Sequence, residues 1–264
     1  MGENRNFIKR HNYEVLVGML SCEIPREDRV RIYEIVRKRL PKRAVLLILS
    51  HTGSRAFGWG SQIYDIDVRG IYAYKGWFDW VHIGYDRYDI GLYELSHLFS
   101  DIEMRCVPTF YDLAKPFYIH PDFDYETFLS FFSAENIKMH MYSIRLERKR
   151  FELNKHPRSA LHCYKERLIP LYWLKTGRIE VNIWKINELF NLKMLPILAN
   201  AYAKRKSIDI DWRRVEEELD LLEKMLEEEL VKNNSKLDVV KYLDWKRRME
   251  ETFYEKYGAK LEEE

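Results

Sequence analysis

Ala44-Val45-Leu46-Leu47-Ile48-Leu49, running on through Ser50-His51-Thr52 into Gly53-Ser54-Arg55 and followed ten residues later by Asp65-Ile66-Asp67, is the stretch that decides the fold. The apolar run has the length and continuity of a strand buried on both faces. It delivers the chain to Gly53, which can take a positive φ and lets the backbone approach a ligand closely. The Ser54 hydroxyl and the neighbouring N–H groups can donate to phosphate oxygens, and Arg55 can add charge. Asp65 to Tyr74 reads as a second strand. Residues two apart in a strand share a face, so Asp65 and Asp67 project together while Ile66 and Val68 turn into the core. Two carboxylates side by side repel unless a cation sits between them, and oxygen ligands suit a hard divalent ion, magnesium.

Each piece alone has a plainer reading. Gly-Ser-Arg is a common turn, and Asp-x-Asp at a strand start is usually a solvated one. The order is more specific: buried strand, Gly-Ser-Arg, a connection through Gly58 and Gly60, then Asp-x-Asp opening an apolar strand.

In that order, His51-Thr52-Gly53-Ser54-Arg55-Ala56-Phe57-Gly58 and Tyr64-Asp65-Ile66-Asp67-Val68-Arg69-Gly70 resemble the active-site signature of the polymerase-beta-like nucleotidyltransferase superfamily. Within it, they most resemble the predicted nucleotidyltransferases associated with RNA repair. The resemblance covers residues 45 to about 100 and weakens beyond. It implies that Gly53 and Ser54 hold nucleotide phosphates and that Asp65 and Asp67 bind two magnesium ions, with manganese as an alternative. The chain departs from the family in placing Tyr64 where a small acidic or hydroxyl residue usually precedes the first aspartate.

The family's third carboxylate lies on a later strand. Asp89 in Tyr88-Asp89-Ile90-Gly91-Leu92 is the best match, a short apolar segment before a helix-like run from Tyr93 to Phe99, and Asp86 is its competitor. That carboxylate would serve the metal that lowers the pKa of the acceptor hydroxyl and would accept its proton. The implied reaction is in-line attack of a hydroxyl on the α-phosphorus of a nucleoside triphosphate such as ATP, with pyrophosphate leaving. Arg55 and Arg69 are candidates to neutralise the triphosphate, although Arg69 shares the Asp67 face and is equally placed to pair with the aspartates. The resemblance also implies a lysine on a second-domain helix that reaches the triphosphate, for which Lys165 in Ala160-Leu161-His162-Cys163-Tyr164-Lys165-Glu166 is the candidate.

The 264 residues, 33% charged and 46% hydrophobic, suit a catalytic head with a second domain, and the net charge of +2 gives no global pull toward nucleic acid. A local pull exists between Arg145 and Lys175. There Arg145, Arg148, Lys149, Arg150, Lys155, Arg158, Lys165, Arg167 and Lys175 face only Glu147, Glu152 and Glu166, interleaved with Tyr142, Phe151, Tyr164, Tyr172 and Trp173. Such a mixture suits phosphates and stacked bases, and the run is the expected track for an RNA acceptor. A solvated helix face backed by core aromatics is the alternative.

Helical spacing covers Arg26 to Leu40, strand signals dominate from Ala44 to Leu92, and after Pro121 the pattern turns helical. Helices are expected at about Asp124 to Lys149, at Pro157 to Lys175 with Gly177 closing it, and at Ile183 to Met194. Strands first and helices later predict an α+β protein, a small mixed-sheet head over residues 1–120 and a helical domain over 121–264. Residues 201–264 read as a charged helical hairpin. One arm carries Val215, Leu219, Leu222, Leu226 and Leu230 at helical spacing, and the other runs from an N-cap at Ser235 to Gly258. With 14 Lys or Arg against 18 Asp or Glu, this tail is a poor nucleic-acid binder and a better packing surface for the body or a second subunit.

Cys22, Cys106 and Cys163 have neither zinc-ligand nor disulfide spacing and read as buried thiols. No run reaches the length of a membrane span and no signal-peptide core is visible, so a cytoplasmic protein is expected. His51 and His97 near the signature lack partners at catalytic spacing and read as structural, and Trp59 is the one tryptophan singled out as a candidate base-stacking surface. The leading expectation is a metal-dependent nucleotidyltransferase acting on an RNA end. The alternatives are the same chemistry on a protein or small molecule, and a non-catalytic nucleic-acid or partner-binding protein on this fold.

Overall fold

A computed structural model describes residues 23–59, 65–76, 80–204 and 209–259. Cys22, Gly60, Tyr64 and Trp77 lie outside them.

Helix α1 (Arg26–Arg39) precedes β1 (Val45–Thr52), which runs into a short helix α2 (Gly53–Phe57). Strands β2 (Ile66–Ala73), β3 (Trp80–Tyr85) and β4 (Tyr88–Glu94) follow, then α3 (Leu95–Glu103), α4 (Val107–Asp112) and β5 (Pro116–Ile119). The remaining elements are helical: α5 (Tyr125–Leu129), α6 (Ala134–Asn154), α7 (Pro157–Thr176), α8 (Ile183–Phe190), α9 (Met194–Lys204), α10 (Trp212–Lys232) and α11 (Val239–Glu250), the last continuing into a π-helical turn, Glu251–Lys256. The class is α+β, with one mixed five-stranded sheet ordered β3-β4-β2-β1-β5.

The described chain forms two units, each built from separated segments. The sheet unit comprises residues 24–53, 65–142 and 228–259; the helical unit comprises 54–59 and 143–227. The expected boundary at 120/121 thus falls inside the sheet unit, and the expected hairpin of 201–264 is divided between the two.

In the sheet unit, β2 pairs antiparallel with β1 and parallel with β4, and β3 pairs antiparallel with β4. One sheet face carries Leu46, Leu49, Ile66, Val68, Tyr88, Ile90 and Leu92, all buried with Ile32 and Val36 of α1. The buried carboxylate of Asp28 fixes that helix by accepting hydrogen bonds from Arg87 Nη2 at 2.7 Å and from the Tyr88 hydroxyl at 2.6 Å. The strand period therefore sends Asp67, Arg69, Ile71, Asp89, Gly91 and Tyr93 to the opposite face.

The sequence places α11 in a second hairpin arm, but it belongs to the sheet unit. Trp245 is fully buried between the rings of Phe99, Phe123 and Phe131, and its indole N–H donates to the Asp124 carbonyl at 3.1 Å. Its N-cap is Asp238, whose side chain accepts from the Lys241 N–H. Ser235, the expected cap, instead caps α6: its hydroxyl accepts from the Ala134 N–H at 2.9 Å and its carbonyl from the Glu135 N–H at 3.1 Å. The stripe of Val215, Leu219, Leu222, Leu226 and Leu230 along α10 is buried within this single chain, so it needs no second subunit to cover it. No helix among the described residues is long and apolar enough to cross a membrane.

Candidate active site

Three rows of residues cross the open sheet face in register. The first joins Thr52, Asp67, Asp89 and Gly84; the second joins Ser50, Arg69, Gly91 and His82; the third joins Ile71, Tyr93 and Trp80. Asp67 and Asp89 are direct neighbours on parallel strands, and Asp65 lies exposed just ahead of β2. Asp86, the competitor for the third carboxylate, is instead in the tight turn between β3 and β4 at φ 54°, mostly exposed and 3.9 Å from Arg31.

Gly53 follows Thr52, the strand partner of Asp67, and adopts φ +71°. A Cβ added there would come within 1.8 Å of Asp67 Oδ2. The backbone thus presses against the Asp67 carboxylate where a side chain would displace it, the close approach that only glycine permits.

Asp67 is half-buried, and burial pushes its carboxyl up to about 6; the Asp89 charge adds to the push, Arg69 opposes it, and Asp65 and Asp112 add smaller upward pushes. Arg69 does not close an ion pair with these carboxylates. It donates from Nη1 to the Val68 carbonyl at 3.0 Å and lies over Gly91, where a Cβ would stand 3.1 to 3.3 Å from its Cδ, Nε and Nη1.

Among the described residues, no hydrogen bond or ion pair reaches the Asp67 carboxylate, and no group of three or more His, Cys, Asp or Glu converges closely enough to hold a metal unaided. Magnesium binds through one or two carboxylates together with substrate phosphates rather than in an all-protein cage. Hard oxygen donors and a half-buried carboxylate, raised by burial and by the charge beside it, fit such an ion. Asp65, Asp67 and Asp89 are the residues that would hold it.

His82 was not singled out in the sequence. Its Nε2 lies 2.6 Å from Asp89 Oδ1, reaching diagonally from β3, and its ring stacks on Trp80 with centroids 5.6 Å apart. The only signal in the chain is its place two residues before Gly84, the strand partner of Asp89, and that needs the hairpin register to be read.

In the helical unit, Ser54 and Arg55 begin the α2 segment. Arg55 is buried. Lys165 of α7 lies with its Nζ 4.8 Å from the Phe57 ring centroid and 2.6 Å from Glu166 Oε1. Trp59, expected as a stacking surface, is buried against Phe57 and His162, and the Trp184 indole N–H donates to the Gly58 carbonyl at 2.6 Å.

The basic run from Arg145 to Lys175 is not a free cationic track. Arg145 pairs with Glu223 and Glu227, Arg148 with Glu152 and Asp220, Arg150 with Glu147, and Lys155 with Glu216. Arg167 is fully buried on Glu223 at 2.5 Å. Glu216, Asp220, Glu223 and Glu227 lie on α10, so the acidic tail that the sequence sets apart neutralises much of the run. Of the remaining expected structural groups, Cys163 is buried with its thiol pushed up to about 12 by burial, and His51 is buried in β1.

A scan against protein-family models and a search of curated proteins found no match to this chain.

Proposed function

We propose that this chain is a metal-dependent nucleotidyltransferase that moves a nucleoside monophosphate from a triphosphate to a hydroxyl acceptor, an RNA end being the favoured acceptor. The observation that carries the reading is the in-register pairing of Asp67 with Asp89, with Asp65 just ahead of the same strand and the Gly53 backbone pressed against the Asp67 carboxylate.

Gly53 lets the backbone close on the Asp67 carboxylate with no side chain between them, so a phosphate on a metal held by Asp67 would lie near backbone N–H groups. Asp65 and Asp67 supply oxygen ligands. When bound, magnesium, or manganese in its place, neutralises the charge that builds on the phosphoryl oxygens. Asp89 would share the metal and accept the proton of the acceptor hydroxyl, a role supported by its pairing with Asp67 and by the His82 ring that fixes its Oδ1.

Transfer from each α-labelled nucleoside triphosphate to a mixed RNA pool, with and without magnesium, tests the proposal beside an Asp65→Asn/Asp67→Asn double variant. Label on RNA from the wild type alone supports it. Triphosphate binding without RNA labelling redirects the acceptor to a protein or small molecule. Absence of both labelling and binding sinks the enzyme reading and leaves a binding protein.

A further inference from the structure

One row beyond the carboxylates, on the same sheet face and wholly within the sheet unit, is a pocket of about 200 Å³. Its floor is Arg69, Ile71 and Tyr93, and its far wall comes from α3 and α4, with His97, Asp101, Cys106, Thr109 and Asp112. Tyr93 and His97 stack with centroids 4.8 Å apart and planes 12° apart. Asp101 accepts from the Thr109 hydroxyl and lies 3.7 Å from His97 Nε2. Asp112 accepts from the Thr52 hydroxyl at 2.5 Å, and its charge is felt at Asp67. The pocket and the carboxylate row are therefore neighbours.

Direction follows from strand geometry. β1 and β2 are antiparallel, so the chain leaving Thr52 into Gly53 heads away from Arg69 and Ile71. Gly53 and the pocket thus lie on opposite sides of the Asp67 row. In an in-line displacement the leaving group and the nucleophile also stand on opposite sides of the phosphorus. If pyrophosphate departs at Gly53, the acceptor hydroxyl arrives from the pocket.

We propose that this pocket receives the terminal ribonucleoside of the acceptor RNA, its base against the Tyr93 and His97 rings and its ribose diol donating to the Asp112 and Asp101 carboxylates. The direction of approach and the choice of RNA rest on the nucleotidyltransferase reading; the fit of the lining to a nucleoside does not. Flat aromatic rings favour a base, carboxylate oxygens accept from ribose hydroxyls, and the volume admits one nucleoside rather than a duplex. The acceptor is then held by its last residue, which accords with the scarcity of unpaired charge between Arg145 and Lys175.

The experiment is direct binding of a short 5′-labelled single-stranded RNA to the Asp65→Asn/Asp67→Asn double variant, which removes turnover. The arms are a 3′-terminal diol and a 2′,3′-dideoxy end. The diol-ended RNA is expected to bind roughly tenfold tighter than the dideoxy form, and Cys106→Phe, which fills the pocket, to weaken it by about the same factor; placed in the wild type, Cys106→Phe is expected to leave triphosphate affinity unchanged. Should Cys106→Phe fail to fold, His97→Leu removes the stacked ring and is expected to act in the same direction. Equal binding of the two ends, or indifference to both variants, overturns the proposal. A wild type that transfers nucleotide yet ignores the pocket variants rejects this inference only. One that binds the diol end in the pocket but transfers nothing rejects the enzyme reading only.

Discussion

Asp67 and Asp89 face each other across parallel strands, and the Asp67 carboxyl is raised to about 6 because it is buried beside that second charge. A fold that keeps such a pair spends stability on it, and the first consequence is measurable. Asp67→Asn removes the repulsion, so thermal unfolding without metal should occur roughly 2–4 °C higher than in the wild type, while nucleotidyl transfer is lost. A lowered melting temperature would contradict the assignment of Asp67 as a strained carboxylate.

The pH dependence has a definite direction. A free aspartate releases its proton near 3.9, whereas folded Asp67 holds it to about 6. Between those values the native state binds more protons than the unfolded state, so the Asp67 contribution lowers stability as pH rises through the window. Denaturant titrations at pH 4.5 and 6.5 in chelator should differ less in Asp67→Asn than in the wild type. An equal difference in both proteins would remove Asp67 as the source.

Metal binding is tested apart from activity. Millimolar magnesium at pH 7.5 should raise the melting temperature of the wild type by mass action and leave Asp65→Asn/Asp67→Asn unmoved. A shift of equal size in both proteins would place any magnesium site elsewhere.

Gly53 and Gly177 share almost the same backbone, φ +71° and +70°, but differ in their surroundings. An added Cβ meets Asp67 at Gly53 and nothing within 4 Å at Gly177. Gly177→Ala should cost about 1–2 kcal/mol, the price of a left-handed alanine. Gly53→Ala should cost more and abolish transfer, because it also displaces the carboxylate. Equal losses of stability with activity retained at Gly53 would show that its neighbour gives way freely.

The two competing carboxylates separate by kinetics. Asp89→Asn is expected to lower turnover by about 100-fold or more with triphosphate affinity retained, and Asp86→Asn, in the exposed turn, to leave turnover unchanged. The reverse result would move the third carboxylate to Asp86.

Much of the head could be read before its coordinates. The apolar run of β1 and the close of α7 at Gly177 each follow from local periodicity or turn chemistry, whereas Asp65, expected on the strand with Asp67, lies just ahead of β2. What could not be read depended on distant partners. The helix expected from Asp124 to Lys149 is interrupted at Ser130 to Ser133, where the Ser133 N–H and hydroxyl both donate to Asn136 Oδ1 and start α6 afresh. β4 extends to Glu94 because Ile71 and Tyr72 of β2 pair with Tyr93 and Glu94. β5 is only four residues opened by proline, with no periodicity to betray it. The His82 contact with Asp89 and the pairing of the basic run with α10 are likewise invisible to a pattern read along one segment, since each joins separate elements.

Trp245 also bears on how this protein is made. The ring lattice of Phe99, Phe123 and Phe131 is completed by a residue some 180 positions after the Asp-x-Asp pair, and the Ala259 carbonyl accepts from the Lys75 N–H at 2.8 Å. A ribosome that has finished every strand has therefore not yet supplied the last wall of the sheet's aromatic core. The nascent sheet unit must wait, with that aromatic surface uncovered, until the Trp245 segment has been made. Truncation ahead of Trp245, or its replacement by alanine at a cost of about 3–5 kcal/mol, would expose the finished sheet to the same hazard permanently.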